Sequence, residues 1–283
     1  MTYRQICDRL KQAGIETAER DAACLLEHYC GVPASALPRE TEREYDTPAL
    51  RSAVERRAER YPLQYLLGEW QFYRQTFEVS PDCLIPRSDT EILVEEAIRT
   101  LPKQAHFADL GTGSGCIAVS VLAERRDTDA VAVEKFPQTL SLALRNAHRN
   151  GVADRMQPVL SDLLRADPVS FPGAPFDTIL SNPPYIRSSV LPSLEPELSA
   201  EPVAALDGGG DGLLFYRAIL GTWKELLKVG GFFLLEIGFD QANAVTQLAR
   251  KEGLQEVRIL RDLGGCDRVL FARKTLHGKD DRF

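Results

Sequence analysis

Asn182, Pro183, Pro184 and Tyr185 stand directly after the run Phe176-Asp177-Thr178-Ile179-Leu180-Ser181, which reads as a buried strand ending in a rigid polar-aromatic turn. Two consecutive prolines fix φ at both positions and remove two N–H donors, so the turn displays carbonyls. The side-chain carbonyl of Asn182 and the main-chain carbonyl of Pro183 then offer two acceptors to the two hydrogens of one planar NH₂ group. Such a nitrogen is a poor nucleophile because its lone pair is delocalised. Acceptors fixed on its hydrogens raise electron density at nitrogen and aim the lone pair at an electrophile, which the pattern predicts to be a methyl on a sulfonium. Tyr185 supplies an aromatic face for a flat target and for developing positive charge. No metal and no covalent enzyme intermediate is required. Taken alone, the same residues also fit a proline turn that merely ends a strand, with Tyr185 as cover.

A second loop runs Asp109-Leu110-Gly111-Thr112-Gly113-Ser114-Gly115 and leads from a strand into a helix. Residues without a Cβ let backbone turn tightly and approach a ligand closely. The G-x-G-x-G spacing differs from the dinucleotide fingerprint, whose third glycine comes one residue later and serves helix packing. No Gly-Lys-Ser/Thr follows, so a triphosphate loop is unsupported. A ligand with an amino-acid end and a ribose, but no phosphate, needs close backbone approach, a carboxylate for its amine and an acid for its hydroxyls. Asp109 and Glu134 are placed for those two roles, Glu134 ending the next strand roughly 20 residues beyond Gly115. By itself the loop fits a plain strand-to-helix turn with a flanking acid equally well.

The elements that must position these loops follow from periodicity. Over residues 1–68 apolar positions recur at helical spacing (Ile6, Leu10, Ala13; Ala22, Leu25, Leu26, Tyr29; Leu50, Val54, Ala58), predicting a helical bundle domain. Pro48 opens one of its helices and Pro62 is expected to stop the last. Phe72, Phe77 and Val79 predict a hairpin-like linker over 69–86. Ser88 followed by Glu91 is the pattern of a helix cap. Over 87–275 strand and helix patterns alternate, predicting a Rossmann-like α/β sheet, mostly parallel. A helix is expected over Leu213–Leu227. The strands Val257–Leu260 and Val269–Ala272 are separated by too few residues for a helical crossover and should pair antiparallel. Residues 276–283 form a charged tail.

The chain has 283 residues and a formal charge of -7, which argues against a partner bound mainly through phosphates and for a protein or small-molecule target. Arg51, Arg56, Arg57 and Arg60 cluster on one helix and are expected on a solvated face. The six cysteines include no C-x-x-C pair and no metal-ligand spacing, so reduced thiols are expected. No apolar run reaches membrane-spanning length, and the opening Met1-Thr2-Tyr3-Arg4-Gln5 lacks a secretory apolar region, so no membrane association and a cytoplasmic location are expected. The four histidines show no pairing suggestive of catalysis.

Together, Pro62–Gly68, Leu84-Ile85-Pro86-Arg87 with Asp89-Thr90-Glu91, Gly111–Gly115, Ser181–Ile186, Glu201-Pro202 with Ala205-Leu206, and Gly208–Leu213 resemble the glutamine methyltransferases of peptide chain release factors over nearly the whole chain. The resemblance implies S-adenosylmethionine as donor, a helical substrate-binding domain, and methylation of the side-chain amide of the glutamine in the factor's Gly-Gly-Gln motif. It implies that Gly111, Thr112, Gly113, Ser114, Gly115 and Glu134 hold the cofactor, that Asp162 and Leu163 lie beside its adenine, and that Asn182, Pro183, Pro184 and Tyr185 hold the glutamine. The family usually has Asp where Glu134 stands, often an aromatic residue at Leu163 and often Pro at Ser88, departures that bear on cofactor affinity. Arg87 fits either a reach to the substrate backbone or a surface arginine before a helix cap. Asp207–Gly212 fits either a lid or a glycine-rich turn.

Three alternatives remain at this point. A ribosomal-protein glutamine methyltransferase shares both loops. A nucleic-acid adenine methyltransferase presents the same NH₂ geometry but needs base flipping and a basic recognition region absent here. A non-catalytic binding module on a degenerate cofactor fold is disfavoured by the intact Asn182 and Glu134.

Overall fold

The computed structural model describes residues 1–39, 42–165 and 171–275, and the expected tail over 276–283 lies outside them. The described chain separates into two compact units.

The first unit comprises Met1–Trp70, Val79–Pro81 and Leu194–Glu201. Its helices are α1 (Tyr3–Gln12), α2 (Ala18–Cys30), α3 (Pro48–Ala58) and the single-turn α4 (Leu63–Leu67). Thr2 and Gln5 satisfy the first orphan N–H groups of α1 reciprocally, as a capping box. Ile6, Leu10, Leu25, Leu26, Leu50 and Val54 are fully buried in a core of their own. Pro62 does not stop a helix. The chain has already turned at Arg60, with φ 68°, and Pro62 is the N-cap of α4, since a residue without an N–H loses nothing at a helix start.

The arginine cluster likewise departs from a uniformly solvated face. Arg57 continues the inward stripe of Leu50, Ala53 and Val54 and is buried. Its Nε donates to Asp21 of α2 at 2.8 Å and its Nη1 to Glu197 at 3.1 Å. Arg60 joins the same carboxylate and the Gly14 carbonyl, while Arg56 and Arg51 stay outside, the former over Tyr61 and the latter beside Asp46. A buried charge stripped of a partner is costly. Asp21→Ala is therefore expected to destabilise this unit by about 3 kcal/mol, read from the urea midpoint of the full chain; an unchanged midpoint would remove the pair from the stability account.

The second unit comprises Gln71–Glu78, Asp82–Ser193 and Pro202–Phe283. Strand β1 (Glu69–Phe72), whose first two residues belong to the first unit, and β2 (Gln75–Glu78) form a small two-stranded sheet, turning at Tyr73, whose φ is positive. Then follow α5 (Glu91–Thr100), β3 (His106–Leu110), α6 (Cys116–Glu124), β4 (Asp129–Glu134), α7 (Pro137–Arg149), β5 (Met156–Leu160), β6 (Phe176–Ser181), α8 (Leu214–Gly221), β7 (Leu227–Glu236), α9 (Ala242–Lys251), β8 (Gln255–Arg261) and β9 (Asp267–Arg273). The main sheet has the order β5-β4-β3-β6-β7-β9-β8. The first five strands run parallel; β9 is antiparallel to β7 and to β8. The expected Rossmann-like sheet is thus present, antiparallel at one end.

Alternate residues of each central strand feed two cores, as the pleat requires. Phe107, Phe232 and Leu234 pack with α5, α6 and α7, and Ala108, Phe233 and Leu235 with α8 and α9. A strand buried on both faces reads as an unbroken apolar run, which is why the alternation of elements is visible in the sequence.

Two local expectations shift. Ser88–Thr90 is a 3₁₀ turn with no side-chain cap, because the Glu91 carboxylate is taken by the backbone N–H of Tyr73 at 2.9 Å. The helix expected to Leu227 ends at Gly221, tightens into a 3₁₀ turn over Trp223–Leu226, and hands Leu227 to β7. Helical periodicity does not separate an α turn from a 3₁₀ one. No helix among the described residues is long and apolar enough to cross a membrane.

Candidate active site

The sheet order reverses between β3 and β6: from β3 the chain builds outward through β4 to β5, then returns to β6 on the other side. Ligands of such sheets bind beyond the strand C-terminal ends at this switch point. The glycine loop follows β3 and the Asn182 turn follows β6, so both lie at that crevice. Ser181 ties them together, its hydroxyl donating to the Leu110 carbonyl at 2.6 Å.

The glycine loop is held from beneath. Gly111 and Thr112 donate their N–H groups to the Val133 carbonyl at 2.9 and 3.0 Å. Asp109 is fully buried and does not line the cavity described below. Its Oδ2 accepts the Thr112 hydroxyl at 2.7 Å and the Ala118 N–H at 3.2 Å, and burial pushes its carboxyl up to about 6. Asp109 thus braces the loop against α6 through Oδ2, while its buried Oδ1 has no partner in the chain. Gly115, the N-cap of α6 with φ 83°, also stands outside the lining. A Cβ there would meet the Cβ and backbone of Ala143 at 3.3 to 3.4 Å. The third glycine therefore serves α6–α7 packing, the role its counterpart has in the dinucleotide fingerprint.

A cavity of about 430 Å³ opens over the loop, lined by Gly111, Thr112, Gly113, Ser114, Glu134, Asp162, Leu163, Asn182 and Pro184, with Leu84, Ile85, Arg87 and Phe136 among its other walls. Glu134 is buried at its edge; Oε2 accepts the Gly113 N–H at 3.1 Å, and Oε1 accepts those of Lys135 and Phe136 at 2.7 and 3.1 Å. Three backbone donors fix this carboxylate and leave it roughly one acceptor site of about four for a hydroxyl donor. Asp162 is oriented by the Leu164 N–H at 3.0 Å and by Lys135 at 3.1 Å. Leu163 presents its side chain near Gly111 while its carbonyl takes the indole N–H of the buried Trp223 at 3.1 Å.

In the Asn182 turn, Pro183 and Tyr185 are not among the lining residues. Asn182 Nδ2 donates to Thr90 Oγ1 at 3.1 Å, and the Thr90 hydroxyl donates to Glu236 Oε2 at 2.6 Å. The Asn182 amide nitrogen is thus committed to Thr90, a fellow residue of the cavity wall, which leaves Oδ1 free to accept. The Tyr185 hydroxyl turns to Glu236 Oε1 at 3.4 Å, and burial holds the phenol well above its usual range. Its ring packs against the core on the α8–α9 face.

Sequence reasoning missed Glu236, one acid closing an apolar strand. Burial raises its carboxyl to about 7. It also missed the close approach of Gly208 and Gly212 to the Tyr185 backbone. The segment they occupy is fastened: Ile186 N–H bonds to the Leu206 carbonyl at 3.0 Å and Gly208 N–H to the Ile186 carbonyl at 2.8 Å. Gln241 donates to the Tyr185 and Gly212 carbonyls at 3.0 and 3.2 Å. Asp207–Gly212 is fastened to the turn by these bonds, as a glycine-rich turn would be, and Asp207 and Gly209 also line the cavity. His106 pairs with Asp129 at the opposite ends of β3 and β4, away from this chemistry. Cys116, at the start of α6, packs beside the core and also lines the cavity, its thiol pushed up to about 12 by burial.

Residues 2–68 match the PrmC N-terminal domain family, and residues 88–231 match the Methyltransferase small domain family. The chain is 39% identical to the release factor glutamine methyltransferase of Geobacter sulfurreducens over 280 residues, covering 96% of each chain. It is 41% identical to the enzyme of the same name from Cereibacter sphaeroides, covering 95% of this chain and 96% of that one. A methyltransferase from Pyrococcus furiosus superposes with a TM-score of 0.53 at 19% identity, over 71% of this chain and 89% of that chain, a likeness of fold alone. The switch-point cavity, the two loops and kinship along nearly the full length place this chain in the release factor glutamine methyltransferase family.

Proposed function

We propose that the chain transfers a methyl group from S-adenosylmethionine to the side-chain amide nitrogen of the glutamine in the Gly-Gly-Gln motif of peptide chain release factors, in the cytoplasm. The observation that carries the reading is the commitment of Asn182 Nδ2 to Thr90, which leaves the side-chain carbonyl of this lining residue free to accept beside the glycine loop and Glu134.

The residues fit such a cofactor. The buried Ser114 Oγ has no partner in the chain and belongs to the lining, Glu134 keeps acceptor capacity for a ribose hydroxyl, and Leu163 with Phe136 gives apolar walls for a purine. Gly111 to Ser114, Glu134, Asp162 and Leu163 would hold it, with Asp109 and Gly115 fixing the loop's shape. When bound, the sulfonium supplies an electrophilic methyl. The chain's own part is positioning: Asn182 Oδ1 and the Pro183 carbonyl accept the two amide hydrogens, Pro184 and Tyr185 stiffen the turn, and Arg87 stands at the rim for the substrate backbone. Orientation of this kind is worth on the order of 10⁵ M in effective molarity. The helical unit over residues 1–68 binds the factor, a role supported by its match to the family's own N-terminal domain.

Glu134→Ala is expected to raise the S-adenosylmethionine Kd roughly ten- to a hundredfold, the loss of a charge-assisted hydrogen bond of about 1.5–3 kcal/mol. Calorimetry on the purified chain checks it, and an unchanged Kd would contradict the ribose assignment. For the reaction itself, the chain and S-adenosylmethionine are incubated with release factor, with ribosomal protein and with an adenine oligonucleotide, followed by mass spectrometry. A gain of one methyl on the Gly-Gly-Gln glutamine is expected; methylation only of either other substrate would overturn the reading.

A further inference from the structure

Behind the Asn182 turn, three side chains form a line of donors and acceptors whose direction depends on one proton. Thr90 and Glu236 are buried, and Thr90 has a single hydrogen, placed 2.6 Å between oxygens toward Glu236 Oε2. An ionised carboxylate only accepts, so the Thr90 hydrogen must go to it, and the Thr90 oxygen is left to accept from Asn182 Nδ2. The Asn182 carbonyl then faces the cavity. With Glu236 protonated the line can run the other way: the acid donates to Thr90, Thr90 donates to Asn182, and the amide turns its NH₂ outward. A donor there meets the hydrogens of the incoming NH₂ and repels them.

We propose that Glu236 is a positioning residue that selects, through the Thr90 hydroxyl, which end of the Asn182 amide faces the substrate. The inference rests on the methyl-transfer role given to Asn182 above. The groups facing Glu236 come from several elements. Asp89, before α5, raises its carboxyl, whereas Arg268 on β9 and the hydroxyls of Thr90 and Tyr185 lower it; burial outweighs them. Arg268 is divided between Asp89 at 3.1 Å and Asp262 at 3.0 Å, so its charge is not Glu236's alone. Tyr216 on α8 donates to the main-chain carbonyl of Glu236 at 2.8 Å, and Cys116 on α6 stays a neutral thiol. The carboxyl value of about 7 puts the reversal where a modest acidification would reach it, and kcat is expected to fall as pH drops through that value.

Two measurements on the full chain test this. In the first, kcat against pH is followed for Thr90→Val, Thr90→Ser and Glu236→Gln. Thr90→Val keeps the side-chain volume and removes the hydroxyl. It should lower kcat about tenfold, the equivalent of one ordinary hydrogen bond, with the cofactor Kd unchanged and the acid limb lost. Thr90→Ser should restore both rate and limb, and Glu236→Gln should flatten the profile. In the second, the ¹⁵N side-chain NH₂ signal of Asn182, assigned by its absence in Asn182→Ala, is titrated with no substrate present. It should shift with a midpoint near 7 in the wild type and stay fixed in Thr90→Val, which carries the test if Glu236→Gln fails to fold. A pH-invariant signal in the wild type, or a wild-type kcat profile in Thr90→Val, would overturn the proposal. Titration of the signal in a chain that methylates no Gly-Gly-Gln glutamine would support the positioning role and withdraw only the substrate assignment.

Discussion

Asn182→Ala is expected to lower kcat by roughly 10²–10³, the loss usual when one preorganised polar contact to a developing charge is removed, while the S-adenosylmethionine Kd changes by no more than about twofold. The asymmetry follows from the site. Asn182 has one amide to divide, and its nitrogen is committed to Thr90, so its carbonyl is the group free to meet the substrate. Alanine removes that acceptor and leaves Thr90 without its donor, but Gly111, Thr112, Gly113, Glu134 and Leu163 keep their own partners. Single-turnover methylation of a Gly-Gly-Gln peptide, with calorimetry of the cofactor alongside, separates the two quantities. Turnover at the wild-type rate would take the amide clasp out of the mechanism.

The sequence is legible where the fold is written in local pattern. Strands buried on both faces leave apolar runs, so β3, β4, β6 and β7 show themselves, and the short spacing between β8 and β9 dictates their antiparallel pairing. The insertion of β9 between β7 and β8 is not legible, because no local period records which edge a returning strand will choose. The two loops stand out because glycine and proline restrict backbone wherever they occur. Their division of labour does not. Asp109 and Gly115 have the residue types of ligand contacts, yet they lie one layer below the cavity, fixed by Thr112, Ala118 and Ala143.

Partners distant in sequence account for the rest. Arg57 reads as an exposed charge because a charge on a helix usually is one; only packing of α2 on α3 buries it against Asp21. Thr90 reads as part of a helix start, and Glu236 as one polar residue within an apolar strand ending at Ile237. They become an orienting pair only because β7 lies beside β6 in the sheet and α5 packs against β7. A polar residue closing a buried parallel strand at the switch-point end is therefore worth more suspicion than its neighbours' hydrophobicity suggests, since it cannot be buried there without a partner.

Gly208→Ala is expected to cost about a hundredfold in kcat, although Gly208 lies outside the cavity lining. A Cβ at this position would stand 2.7 Å from Tyr185 Cα, 2.8 Å from its carbonyl carbon and 2.9 Å from the Pro184 carbonyl oxygen. All three are backbone atoms, so no rotamer change relieves the clash. The Gly208 backbone cannot simply retreat either, being tied to the Ile186 carbonyl at 2.8 Å and to the Leu214 N–H at 3.1 Å. The turn carrying Asn182 must move, and displacement of a positioned group by about 1 Å is enough for a loss near 10². Overpacking of this kind should also lower stability by about 1–3 kcal/mol, whereas the cofactor Kd, set by the glycine loop and Glu134, should hold. Gly210→Ala is the matched control, because a Cβ there meets nothing within 4 Å, and it should leave kcat and the melting temperature where they are. If Gly208→Ala and Gly210→Ala turn over alike, the glycine-rich segment does not buttress the turn, and the rigidity of Asn182 must come from the prolines and the Thr90 contact alone.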